Sequence, residues 1–262
     1  MSAPPAPPGL PPALERVRER GRDAALFLDY DGTMAPIVAD PAGARPVAAV
    51  PELLERLAAR LGLVAVVSGR PVGFLADTLR RPKGVHLAGV YGMEEVGADG
   101  SSSLAPGAEQ WRGAVERVAR AAVASAPPGA EVEDKGLALA LHWRRAPDAE
   151  TWARAVADDE GGRAGLVAQP GRMAIELRPP LDIDKGTVVR RLAVGYPVVA
   201  CFGDDVGDLP AFRVLADLER HGVEVARVVV ADAESPNELV GMADVVVQGP
   251  DEAVAMLEAL AR

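Results

Sequence analysis

Along the first ninety residues, short runs that are almost wholly apolar alternate with segments whose apolar positions recur every three or four residues. The runs at 24–28, 63–67 and 85–88 predict strands buried on both faces. Between them, Val50, Leu53, Leu54, Leu57 and Leu61 set a helical stripe over 47–61, and Pro71 stands before a second helix over 72–79. Strands alternating with helices in this way predict a parallel sheet covered by helices.

The pattern changes near residue 95. The stretch at 95–107, with its GADGSSSLAPG, reads as a linker. An amphipathic helix over 109–124 follows, broken by Pro127-Pro128-Gly129, then strands at 131–134 and 137–143 around a Lys135-Gly136 turn. A helix over 149–159 is expected to stop at Gly161-Gly162, before a hairpin of 166–169 and 173–178 that turns at Pro170-Gly171. From residue 185 the first pattern returns, with helices over 186–194, 209–218, 236–240 and 251–260 and strands at 198–202, 225–230 and 245–247. The expected fold class is α/β: a Rossmann-like core with a parallel sheet and a smaller inserted α+β domain. The division is a Pro-rich lead-in and first helix at 1–20, core at 21–106, insert at 107–178, and core again at 179–262.

Composition narrows the function classes. A net charge of −10 argues against nucleic acid as a partner, which needs a basic surface. The single cysteine, Cys201, excludes an intramolecular disulfide and a cysteine-based zinc site, and favours a reducing, cytoplasmic setting. The head lacks the basic start and apolar stretch of a signal peptide, and no run is apolar enough to span a membrane. The sequence does not fix an oligomeric state; a monomer is compatible with it. Basic residues are almost all arginine, which sets apart the three lysines, Lys83, Lys135 and Lys185.

Four polar clusters then fall at the C-terminal ends of predicted core strands or at helix starts beside them, where open α/β sheets place ligands. Asp29-Tyr30-Asp31-Gly32-Thr33 follows the first strand and Ser68-Gly69-Arg70 the second. Asp184-Lys185-Gly186 opens the helix that re-enters the core, and Gly203-Asp204-Asp205-Val206-Gly207-Asp208 follows the strand at 198–202. Two acids spaced i, i+2 can divide attack and proton transfer if a cation limits their repulsion. Taken singly, each cluster is also an ordinary loop or helix cap. Their joint occurrence points to a site.

DYDGT, SGR, DKG and GDDVGD resemble the four motifs of the haloacid-dehalogenase-like phosphatases. Within that superfamily, DYDGTMAPIV with Asp40-Pro41, LAGVYGME, VEDKGLALALHWR and MAIELRP resemble the trehalose-6-phosphate phosphatase family along nearly the whole chain. Two positions depart from its pattern: Gly207 and Leu209 replace a frequent Thr and Glu, and Gly89-Val90-Tyr91-Gly92 replaces a frequent GSHG loop.

The resemblance implies a Mg²⁺-dependent phosphatase that converts trehalose 6-phosphate, its small-molecule partner, to trehalose and phosphate through an aspartyl-phosphate. Asp29 would be the nucleophile, Asp31 the proton donor and acceptor, and Thr33, Ser68 and Lys185 would hold the phosphoryl group. Asp29, Asp31 (through its carbonyl) and Asp204 would hold the metal, with Asp205 and Asp208 outside them. Gly69, Arg70, Lys135, His142, Arg144 and Glu176 are the substrate-binding candidates, and the insert would be a cap of the C2 type. Another sugar-phosphate phosphatase, a phosphomutase and a non-catalytic sugar-phosphate sensor remain as alternatives.

Overall fold

The computed structural model describes residues 9–38, 40–171, 173–232 and 235–262, so most of the Pro-rich lead-in lies outside the described residues. Two sheets organise the chain. The larger is built on β1 (Ala24–Leu28), β2 (Leu63–Val67) and β3 (His86–Gly89), extended by β4 (Glu94–Val96) and β5 (Ser102–Leu104). The smaller holds β6 (Glu131–Asp134), β7 (Leu139–His142), β8 (Val167–Gly171) and β9 (Ala174–Arg178). After it, β10 (Val198–Gly203), β11 (Glu224–Ala231) and β12 (Val245–Gln248) rejoin the larger sheet. Its order is β12-β11-β10-β1-β2-β3-β4-β5, parallel from β12 to β3 and antiparallel beyond.

β1 lies at the centre, and its alternating side chains feed two separate cores, as the two-residue repeat of a strand dictates. Leu26 and Leu28 pack on one face with apolar residues of α1 (Pro12–Arg20), α2 (Val50–Arg60) and α10 (Gly249–Leu260). Ala25 and Phe27 pack on the other with α7 (Lys185–Leu192) and α8 (Leu209–Arg220). The short helices α3 (Val72–Thr78) and α9 (Asn237–Gly241) complete the two helical layers. The smaller sheet, ordered β6-β7-β9-β8 and antiparallel throughout, packs its Leu139, Leu141, Ile175 and Leu177 against α4 (Arg112–Ser125) and α5 (Glu150–Val156). No helix among the described residues is long and apolar enough to cross a membrane.

Three expectations are corrected. The stretch at 95–107 is not a bare linker: β4 and β5 form a hairpin that extends the core sheet, closed by bonds from Gly97 N to Ser101 O and from Gly100 N to Gly97 O, both 2.8 Å. All three β5 residues are exposed at the sheet edge, so no apolar alternation betrays the strand. Gly161-Gly162 does not stop its helix either. The chain widens into a π-turn at Ala157–Gly161, continues as α6 (Gly162–Ala164), and ends at Gly165, whose φ of 75° supplies the left-handed cap. Pro170 and Gly171 lie inside β8, paired with Ile175 and Ala174 of β9; β8 is an edge strand, where a proline is tolerated.

Candidate active site

The C-terminal ends of β1, β2 and β10 and the N-terminus of α7 converge on one cavity. Its lining includes Asp29, Asp31, Ser68, Gly69, Arg70, Lys185, Asp204 and Asp205 from the core, and Glu133, Lys135, His142, Arg144 and Ala174 from the smaller sheet and its loops. Ile37, Val38 and Pro41 add an apolar wall. All four motif loops therefore meet at one place.

Lys185 is the hub. Asp184 caps α7 by accepting a 2.7 Å bond from Thr187 N, which sets Lys185 as the first residue of the helix. An ammonium at a helix N-terminus opposes the helix dipole, and two carboxylates offset that conflict. Lys185 Nζ donates to Asp29 Oδ1 at 2.6 Å and to Asp208 Oδ1 at 2.7 Å. Asp208 Oδ2 accepts from the backbone of Asp204 at 2.9 Å and of Asp205 at 3.2 Å, so both its oxygens are engaged. Asp29, anchored by its N–H to Phe202 O at 3.0 Å, keeps Oδ2 without a partner among the described residues.

Electrostatics distinguish these acids. Burial pushes Asp29 up to about 8 against the pull of Lys185, with Asp208 and Asp205 adding to the rise. Burial and the neighbouring Asp29, Asp205 and Asp208 hold Asp204 well above the carboxylate range. Burial also raises Asp208, and Lys185 is held well above its ordinary value by Asp208 and Asp29 despite burial. Among the described residues, Lys185 is the cation bonded to Asp29 and Asp208. Asp29, Asp204 and Asp208 can each bring an oxygen within 4.8 Å of the others; with both Asp208 oxygens engaged, Asp29 and Asp204 are the carboxylates suited to meet a hard divalent cation such as Mg²⁺. The chain's own charges therefore fit the metal.

Gly32 makes the closeness of Asp204 possible. Its φ is +75°, and a Cβ there would sit 2.1 Å from Asp204 Oδ2. Gly32→Ala should therefore displace Asp204 and depress activity far more than stability; a variant with wild-type turnover would contradict this placement of Asp204.

A second chain of ion pairs runs from the core to the smaller sheet. Arg70 grips Asp31 with both prongs, Nε at 2.6 Å and Nη2 at 2.8 Å, and reaches Glu133 Oε1 at 3.2 Å. His142 Nε2 lies 3.0 Å from Glu133 Oε2. Burial would raise Glu133, yet the His142 bond and the charges of Lys135 and Arg70 bring it down to about 2. Arg70 N donates to Ser68 Oγ at 3.1 Å, and Thr33 is fully buried with its hydroxyl unpartnered among the described residues. Arg144 lines the cavity from an exposed position. Glu176 is not among the lining residues: one oxygen lies 3.3 Å from Lys135 Nζ and the other accepts from Tyr91 Oη at 2.7 Å.

Sequence reasoning missed Glu133, Tyr91, Ile37 and Val38 as members of the site. Glu133 stands two residues before Lys135 on a strand, so it shares that lysine's face, and this spacing could have found it. Tyr91 stands out in the sequence only as part of the Gly89-Val90-Tyr91-Gly92 loop that departs from the family's pattern.

A central parallel sheet, a buried Asp-Lys-Asp cluster at its C-terminal edge and a smaller α+β unit over that edge define a haloacid-dehalogenase-like fold. Sequence comparison is more specific: the trehalose-phosphatase family profile matches residues 27–240, and the chain belongs to that family. A trehalose-phosphate phosphatase of Mycolicibacterium paratuberculosis is 38% identical over 220 residues, covering 78% of this chain and 54% of that protein. One from Mycobacterium leprae is 34% identical over 220 residues, covering 78% and 50%. The chain thus spans about half the length of these curated relatives. Among solved structures, the C-terminal domain of C. albicans trehalose-6-phosphate phosphatase shares the fold, with a TM-score of 0.78, 24% identity and 98% of each chain covered.

Proposed function

We propose that this chain hydrolyses trehalose 6-phosphate to trehalose and inorganic phosphate, with Mg²⁺ bound and through an aspartyl-phosphate on Asp29. The observation that carries the reading is Asp29 at the cavity, with Oδ1 fixed by Lys185 and Oδ2 without a partner among the described residues. A carboxylate held on one side presents one lone pair in a set direction, as nucleophilic attack requires.

In the first step Asp29 Oδ2 attacks phosphorus and the bond to the sugar oxygen breaks. Asp31 gives that oxygen its proton, which requires the Arg70 fork to loosen. In the second step water attacks phosphorus, Asp31 takes the water's proton, and the bond to Asp29 breaks to release phosphate. Ser68 and Thr33 would donate to the transferring group and Lys185 would balance its charge. Asp29, Asp204 and the Asp31 carbonyl would hold Mg²⁺, which when bound offsets the repulsion between carboxylate and phosphate. Asp205 and Asp208 would stand outside that ligand set, Asp208 by orienting Lys185. Residues 107–178 act as the cap: Lys135, His142 and Arg144 offer donors to sugar hydroxyls, with Glu133 as an acceptor.

Phosphate release with Mg²⁺ across trehalose 6-phosphate, sucrose 6-phosphate, glucose 6-phosphate and mannose phosphates tests the reading. Trehalose 6-phosphate should be turned over fastest; preference for another member would move the assignment elsewhere in the superfamily.

Stability should report the metal as well. Folded Asp29 keeps its proton up to about 8, whereas an unperturbed carboxyl loses it at 3.8. The folded state then binds more protons than the unfolded, so this group's stability contribution is complete below 3.8 and is lost as pH rises towards about 8. In EDTA the melting temperature should carry that downward slope, and Mg²⁺ should flatten it by binding the ionised acids. Identical slopes with and without Mg²⁺ would contradict the metal assignment.

A further inference from the structure

Tyr91 occupies a conformation that its sequence disfavours. Val90 has φ 46° and Tyr91 φ 62°, two consecutive non-glycine residues in the left-handed region, one of them β-branched. Such strain persists only where the surroundings over-determine it, and it gathers at functional sites. Here Val90 N is tied to Arg70 O and Tyr91 N to Ser68 O, both at 2.9 Å, so the strained loop is bolted to the Ser68-Gly69-Arg70 turn. The ring lies so close to Gly69 that a Cβ there would be 2.8 Å from it.

The other side of the ring meets the cap. The Arg178 guanidinium stacks on it at 4.1 Å, and Arg178 also donates to Ile183 O at 2.6 Å in the segment leading back to Lys185. The hydroxyl donates to Glu176 Oε2 at 2.7 Å. Glu176 Oε1 is buried and faces Lys135 Nζ at 3.3 Å, in an ion pair that lacks hydrogen-bond geometry. Tyr91 and Lys135 both line the cavity, and the Glu176 side chain is about as buried as that of Lys135.

We propose that Tyr91 is a positioning residue for substrate recognition: its hydroxyl holds Glu176, which in turn holds the Lys135 ammonium at the cavity wall. The inference rests on the sugar-phosphate phosphatase reading and extends it. A core loop thereby sets the placement of a cap cation, so sugar recognition depends on how the cap is seated. Phosphoryl transfer uses other groups, those around Lys185. Loss of the hydroxyl should therefore act on the sugar and not on the phosphate.

Tyr91→Phe keeps the ring, the stacking and the packing, and removes only the hydroxyl. KM for the sugar phosphate should rise roughly tenfold, the scale of one hydrogen bond to a charged group. kcat should change little, and KM for p-nitrophenyl phosphate, which has no sugar, should rise much less. In a double-mutant cycle, Tyr91→Phe should add almost nothing in a Glu176→Ala background. An unchanged KM for the sugar phosphate, an equal rise for both substrates, or effects that multiply in the double variant would each overturn the proposal. Wild-type turnover of trehalose 6-phosphate tests the parent reading. The variant-to-wild-type ratio, taken on whichever sugar phosphate the wild type hydrolyses, tests this one.

Discussion

Asp29→Asn is expected to lower phosphate release by at least roughly 10³-fold, the scale on which loss of a nucleophile acts, while the protein folds and melts at least as well as the wild type. The amide is nearly isosteric but cannot form an acyl-phosphate. Its effect on stability follows from the burial that pushes the Asp29 carboxyl up to about 8: the fold disfavours a charge there, and asparagine removes the charge. Lys185 retains Asp208 at 2.7 Å, so the substitution does not orphan the ammonium. Phosphate release and thermal melting, measured side by side, check both halves. A variant that melts far below the wild type would show that Asp29 holds the fold together; one that still turns over would remove it from the chemistry.

Lys185→Met should have the opposite signature in stability. The ammonium is the shared partner of two buried carboxylates, at 2.6 Å and 2.7 Å, and is itself 4% exposed. Its removal leaves Asp29 and Asp208 facing each other with Asp204 nearby, and breaking a buried pair from one side costs about 3–5 kcal/mol. Activity should be lost as well, because Asp29 is no longer oriented. Much of the stability should return with Mg²⁺, which replaces the missing positive charge. Denaturant melts with and without Mg²⁺ provide the measurement. A Lys185→Met protein as stable as the wild type in EDTA would mean that the carboxylates are not held by this lysine.

The central architecture was legible because its strands leave little choice. A run such as Ala24–Leu28, buried at every position, can only be an interior strand of a sheet covered on both faces, and the acids that follow it must then emerge at the ligand-binding edge. The hairpin of β4 and β5 was not legible for the converse reason. Ser102–Leu104 is exposed throughout, and an edge strand held by backbone bonds alone leaves no hydrophobic imprint. Gly161-Gly162 misled because glycine weakens a helix without forbidding it, while packing of Val156 and Ala157 in the core under the smaller sheet holds that turn in place.

The site divides along the same line. Residues that act through local spacing, such as Asp29 and Asp31 or Asp204 and Asp208, announce themselves within a few positions. Contacts that depend on how the smaller sheet meets the core do not. Arg70 with Glu133 spans 63 positions and Tyr91 with Glu176 spans 85, and nothing short-range in the chain encodes either pairing. Glu176 shows the consequence. Resemblance to the family marks it as a sugar-binding candidate, and its pairing with Lys135 at 3.3 Å and with the Tyr91 hydroxyl at 2.7 Å is seen only in the structure.

The most direct test of the account is a balance sheet of products from trehalose 6-phosphate. Incubated with Mg²⁺, the wild-type chain should release trehalose and inorganic phosphate in equal amounts, with neither formed in EDTA or by Asp29→Asn. Phosphate that stays on the sugar, or release that persists without Mg²⁺ or without the Asp29 carboxylate, would contradict it.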